Sequence, residues 1–91
     1  MSLSVEARIT GRVQGVAYRH WTKSRADALG LKGWVRNDVS GAVITHLEGD
    51  RKTVNQMVEE LWSGPGAASV RDVQCHRIPS VAPNLNFEIL Y

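Results

Sequence analysis

The chain carries a single cysteine, Cys75, in 91 residues. One thiol excludes an internal disulfide framework and a cysteine-cluster metal site, and it suits a reducing cytosol. No apolar run approaches the roughly 20 residues needed to cross a bilayer, so no transmembrane helix and no membrane partner are expected. The start, Met1-Ser2-Leu3-Ser4, lacks the basic residues and apolar stretch of a secretory leader. Linkers, low-complexity tracts and internal repeats are absent. Three scattered histidines, His20, His46 and His76, lack metal-ligand spacing, so no metal and no cofactor are expected. Charge of one sign is also scarce. Eleven basic residues stand against nine acidic ones, a net +2, which is too little to argue for nucleic acid by itself.

What remains is an ordinary globular composition, 43% hydrophobic and 22% charged. A chain this short buries roughly 60 to 65% of its extended surface. That supports one domain over residues 1–91, built of two layers around one core. Elaborate cofactor chemistry does not fit in it. An enzyme of this size must run a reaction that a few side chains and a backbone loop can manage.

The periodicity alternates between strand and helix. Leu3, Val5, Ala7 and Ile9 share one face of a strand, with Ser4, Glu6, Arg8 and Thr10 on the other. Gly11 to Gly15 is a glycine-bounded loop. Tyr18, Thr22, Ala26 and Leu29 then recur at helical spacing, and Gly30 suits a C-terminal cap. Leu31 to Asn37 predicts a second strand, and Asp38-Val39-Ser40-Gly41 a turn. Ala42 to Glu48 returns as its hairpin partner, with Val43, Thr45 and Leu47 facing one way. Asp50 can cap a second helix that carries Val54, Met57, Val58 and Leu61 at i, i+3, i+4, i+7. Ser63-Gly64-Pro65-Gly66 ends that helix. Val70 to Ile78 predicts a fourth strand, Pro79 to Asn86 a loop, and Phe87 to Leu90 a short edge strand. The order β-α-β-β-α-β implies an α+β class, the ferredoxin-like split βαβ sandwich, with an antiparallel sheet and two helices on one face. Many unrelated functions share this arrangement, so it does not decide among them.

The informative stretch is Gly11-Arg12-Val13-Gln14-Gly15-Val16-Ala17-Tyr18-Arg19, which joins strand to helix. A helix start has unpaired N–H groups and the positive end of the macrodipole. Gly15 removes a Cβ where a ligand would meet the backbone. Arg19 adds a planar guanidinium suited to phosphate or carboxylate oxygens. Together these features can hold an anion. The same pattern also fits an ordinary strand–helix turn with an arginine facing water, and it is neither the Walker nor the dinucleotide fingerprint. Asn37, at the end of strand two, can orient a water without titrating, or simply begin a turn.

The run Ile9 to Arg19 resembles the first signature of the acylphosphatase family. Gly33-Trp34-Val35-Arg36-Asn37, followed by Gly41, Val43 and Gly49, is similar to its second. Gly64-Pro65 with Ala68 and Val70 looks like the segment after the family's second helix. The likeness runs from about residue 5 to 89. Tyr18 stands where Phe is usual, and Ala17 where glycine is frequent. The end, Phe87-Glu88-Ile89-Leu90-Tyr91, lacks the basic residue that some members carry, which bears on stability or substrate reach.

The resemblance implies hydrolysis of an acyl phosphate to a carboxylate and inorganic phosphate. It implies that Arg19 and the loop amides of Gln14, Gly15, Val16, Ala17, Tyr18 and Arg19 hold the phosphoryl group. It implies that Asn37 orients the attacking water and that no metal takes part. The expected partner is a small acyl phosphate, with no nucleic acid, and the expected state is a cytoplasmic monomer. The rival is an RNA-recognition module of the same fold. Lys32-Gly33-Trp34-Val35 is faintly like the basic-Gly-aromatic start of that motif, but the aromatics that should follow are replaced by Arg36, Asn37 and Asp38. A small-ligand regulatory domain is a further alternative. His20 is expected at the surface, Cys75 as an unactivated thiol, and Trp21, Trp34 and Trp62 as packing or surface residues.

Overall fold

Strand β1 (Ser2–Arg12) leads into helix α1 (Tyr18–Ala28), followed by β2 (Lys32–Asn37) and β3 (Val43–Asp50). Helix α2 (Arg51–Leu61), β4 (Ser69–Arg77) and β5 (Phe87–Ile89) complete the chain. This computed structural model describes residues 1–80 and 86–91. Most of the expected 79–86 loop therefore lies outside the described residues.

The sheet order is β4-β1-β3-β2-β5. β1 pairs antiparallel with β3 and β4, and β2 antiparallel with β3. The fold is the α+β ferredoxin-like sandwich expected from the pattern, with one difference in the sheet. β5 lies parallel to β2, Gly33 opposite Phe87 and Val35 opposite Ile89, so the five-stranded sheet is mixed. β5 sits at the far edge, beside β2 and not beside β4, so it is no hairpin partner of the strand before it and its direction is not bound to be antiparallel to its neighbour.

Alternation sets the core. Val5, Ala7 and Ile9 of β1, Val35 of β2 and Val43 and Leu47 of β3 are buried. They form one cluster with Tyr18 and Ala26 of α1, Val54, Met57 and Leu61 of α2, and Phe87. Thr45 is buried with them because its hydroxyl donates to the Trp34 carbonyl at 2.8 Å. Asp50 caps α2 as its position predicts, accepting from the Lys52 N–H at 3.1 Å. The opposite sheet face carries polar partners, such as His46 against Glu6 at 3.2 Å and stacked on Trp34 at 4.1 Å.

The two helices are pinned to each other by Arg25, which donates to both carboxylate oxygens of Glu60. These bonds, and then Gln56, hold the Glu60 carboxyl below its usual range. A depressed carboxylate contributes stability that is present above its unfolded pKa and lost as pH falls through the folded one. Glu60→Gln should therefore lower Tm at pH 7 and flatten the loss of Tm between about pH 5 and pH 3. Thermal melts of both proteins across that range check this. An acid limb as steep as the wild type's would show that the pair is not coupled to folding.

Candidate active site

β1 ends at Arg12 and α1 begins at Tyr18, so five residues make the turn between them. Two adopt left-handed backbone, Gly15 with φ +73° and Ala17 with φ +64°. Glycine adopts this conformation freely, whereas alanine does so at roughly 1–2 kcal/mol. The frequent glycine of the family at the Ala17 position thus has a plain conformational reason. Left-handed residues in a turn bring successive N–H groups to one side as an anion-binding concavity. Ala17 is also the N-cap of α1, with no side-chain cap and no acidic residue in the first turn. Among the described residues, no acceptor takes the N–H of any residue from Gly15 to Arg19. The positive end of α1 is left open.

The sequence-predicted residues converge, though not all in the same way. A cavity of about 130 Å³ is lined by Val13, Gly15, Ala17, Tyr18, Arg19, His20 and Asn37. Arg19 and Asn37, eighteen positions apart, thus face one space. The Asn37 Oδ1 is buried there with no hydrogen-bond partner among the described residues. A buried amide oxygen without a partner is uncommon and calls for a donor from outside the protein. Gln14 and Val16 do not line the cavity. Val16 packs against the core, and the Tyr18 ring lies inside it, its hydroxyl donating to the Leu61 carbonyl at 2.6 Å. Burial pushes that phenol far above its usual pKa, so it stays neutral. Tyr18 contributes its backbone to the loop and its ring to the fold.

Gln14 holds the site by its side chain. Its Nε2 donates to the carbonyls of Asp38 and Ala42, both at 2.8 Å. One amide therefore ties the loop to the hairpin that carries Asn37. Asp38 stiffens the same turn, accepting from the Ser40 hydroxyl at 2.6 Å and the Ser40 N–H at 3.2 Å. Those bonds hold its carboxyl below the usual range, and Arg36 and Arg8 add to the effect. The sequence offers no signal for the Gln14 clamp, because both acceptors are backbone carbonyls. Gln14→Ala would remove two hydrogen bonds, each contributing about 0.5–1.5 kcal/mol, while the Asp38 and Ala42 carbonyls keep the Gly41 and Asp38 N–H groups as partners. The expected result is a lower Tm together with a lower kcat. A loss of Tm alone, with kcat intact, would show that the clamp braces the fold but not Asn37.

Arg19 is also held. Its Nη1 donates to the Leu90 carbonyl at 3.3 Å, and its Cζ lies 4.8 Å above the Tyr91 ring. The chain's last residues therefore approach Arg19 through a carbonyl and an aromatic face, not through a basic side chain. His20 is exposed at the cavity rim. Cys75 is exposed on β4, and burial of its sulfur pushes the thiol pKa up, as expected of a thiol that is not activated. No group of three or more potential metal-ligating side chains occurs among the described residues, and none of their helices is long and apolar enough to cross a membrane.

With this geometry in place, similarity to known proteins is decisive. The model of the family described as acylphosphatase matches residues 5–89. The chain belongs to the acylphosphatase family. It is an enzyme of that class, hydrolases that act on acid anhydrides. The acylphosphatase of Sinorhizobium medicae is 46% identical over 82 residues, spanning 90% of this chain and 87% of its own. The acylphosphatase of Methanothrix thermoacetophila is 41% identical over 91 residues and the full length of both. The crystal structure of acylphosphatase from Bacillus subtilis superposes with a TM-score of 0.93 at 31% identity, covering 100% of each chain.

Proposed function

We propose that this chain hydrolyses acyl phosphates at the cavity between the 13–19 loop and Asn37, without a metal. The observation that carries the reading is the unpartnered, buried Asn37 Oδ1 in the same cavity as Arg19 and an uncapped helix start. The Arg19 guanidinium and the amides of Gly15 to Arg19 hold the nonbridging phosphoryl oxygens, each charge-assisted bond contributing about 1.5–3 kcal/mol. Gln14 belongs to this machinery as the clamp that fixes the loop against Asn37. The Asn37 Oδ1 accepts a hydrogen bond from water and sets its oxygen in line with phosphorus. The new P–O bond forms as the bond to the acyl oxygen breaks, and the carboxylate leaves with the electron pair. The water's proton passes to a phosphate oxygen. A carboxylate needs no protonation to depart, and phosphoryl transfer depends mainly on positioning and electrostatics. One guanidinium, one neutral amide and a set of N–H groups are therefore enough.

The test is turnover of benzoyl phosphate in EDTA, run beside a salt-dependent RNA-binding titration. The expected result is chelator-insensitive hydrolysis, competitively inhibited by inorganic phosphate, with no tight RNA binding. Tight RNA binding without hydrolysis would reverse the reading in favour of a nucleic-acid module.

A further inference from the structure

At the other end of the sheet, α2 and the edge strand β4 enclose a groove of about 280 Å³. Its floor is Leu3 and Val5, its α2 wall Arg51 and Asn55, and its β4 wall Cys75 to Arg77. Val5 lies seven residues along β1 from Arg12, so the groove is roughly 20 Å or more from the catalytic loop. Among the described residues, no carboxylate lines it. Among the described residues, neither Arg51 nor Arg77 has an acidic partner, whereas Arg8, Arg25 and Arg36 all do. Two unneutralised guanidiniums and an amide thus rim an apolar floor. Guanidiniums select carboxylate or phosphate oxygens, and Leu3 and Val5 select a hydrocarbon body. From Ile78 the chain turns away, the Ile78 N–H bonding Ser4 and the Ser80 hydroxyl bonding Glu48.

We propose that this groove is a second binding site, for a small organic anion with a short apolar body. The anionic head lies between Arg51 and Arg77, and the apolar body covers Leu3, Val5 and the Cys75 thiol. The site does not depend on catalysis.

Cys75 is the only thiol in the chain, so its alkylation rate reads occupancy directly. The experiment measures maleimide labelling of the intact protein with and without octanoate. At about five times its half-saturating concentration, octanoate should slow labelling about six-fold, since protection scales as 1 + [L]/Kd. Octanol and inorganic phosphate at the same concentration should slow it less than two-fold. Arg77→Ser and Arg51→Ser, both at exposed positions outside the core cluster, should each lose most of the protection while keeping the wild-type circular dichroism spectrum. Arg19→Ala should keep the protection in full, which separates this site from the catalytic one. No slowing by octanoate would overturn the proposal, as would equal slowing by octanol or full protection in both arginine variants.

Discussion

Arg19→Ala should lower kcat/KM for benzoyl phosphate by at least about a thousand-fold, the upper range for loss of one preorganised donor to a developing charge. Among the described residues, Arg19 is the only guanidinium lining the cavity, and apart from the His20 imidazole at the rim the other donors there are amides. Its orientation is fixed from outside by the Leu90 carbonyl and the Tyr91 ring, so the cation is in place before substrate arrives. Phosphate inhibition should weaken in parallel, because the same contacts hold the product. Arg19→Lys should recover little, about ten-fold at most, since an ammonium is a point charge and cannot donate along two parallel directions. Steady-state kinetics with inorganic phosphate as competitor checks both variants. A rate within three-fold of wild type in either would remove Arg19 from the site.

Asn37→Ala should behave differently. Its amide is assigned to the water and not to the phosphoryl group, so kcat should fall about 100- to 1,000-fold while the inhibition constant for phosphate stays within about three-fold. Asn37→Asp should also fail, although it is nearly isosteric, because a carboxylate repels the phosphoryl oxygens that Arg19 attracts. Folding should be little affected, since the Asn37 Oδ1 has no partner among the described residues to lose. Weakened phosphate inhibition with kcat preserved would instead place Asn37 on the phosphate.

These two residues mark how far the sequence reaches. The strands and helices were legible because alternation in Leu3, Val5, Ala7 and Ile9 and the i, i+3, i+4, i+7 spacing in α2 are direct consequences of burial on one face. The parallel setting of β5 was not, because nothing within three residues states a direction. Arg19 and Asn37 were legible through the family motifs and the chemistry of a helix start. The left-handed Ala17 was hidden, since alanine rarely takes that conformation and only the comparison with a frequent glycine hinted at it. The Gln14 clamp and the contacts of Leu90 and Tyr91 to Arg19 were hidden for a different reason. They join residues distant in sequence through backbone carbonyls or a ring face, which leave no residue pattern. Tyr18 shows the converse case. Its position in the motif placed it at the site, while its side chain serves the core and the end of α2.

The account turns on water attacking phosphorus, in the loop cavity, with no metal. Single-turnover hydrolysis of benzoyl phosphate by the wild-type protein, in EDTA and in water enriched in oxygen-18, tests that most directly. The account predicts full turnover, with the label in the inorganic phosphate and none in the benzoate. Label in the benzoate, or turnover that returns only when a divalent metal is restored, would contradict it.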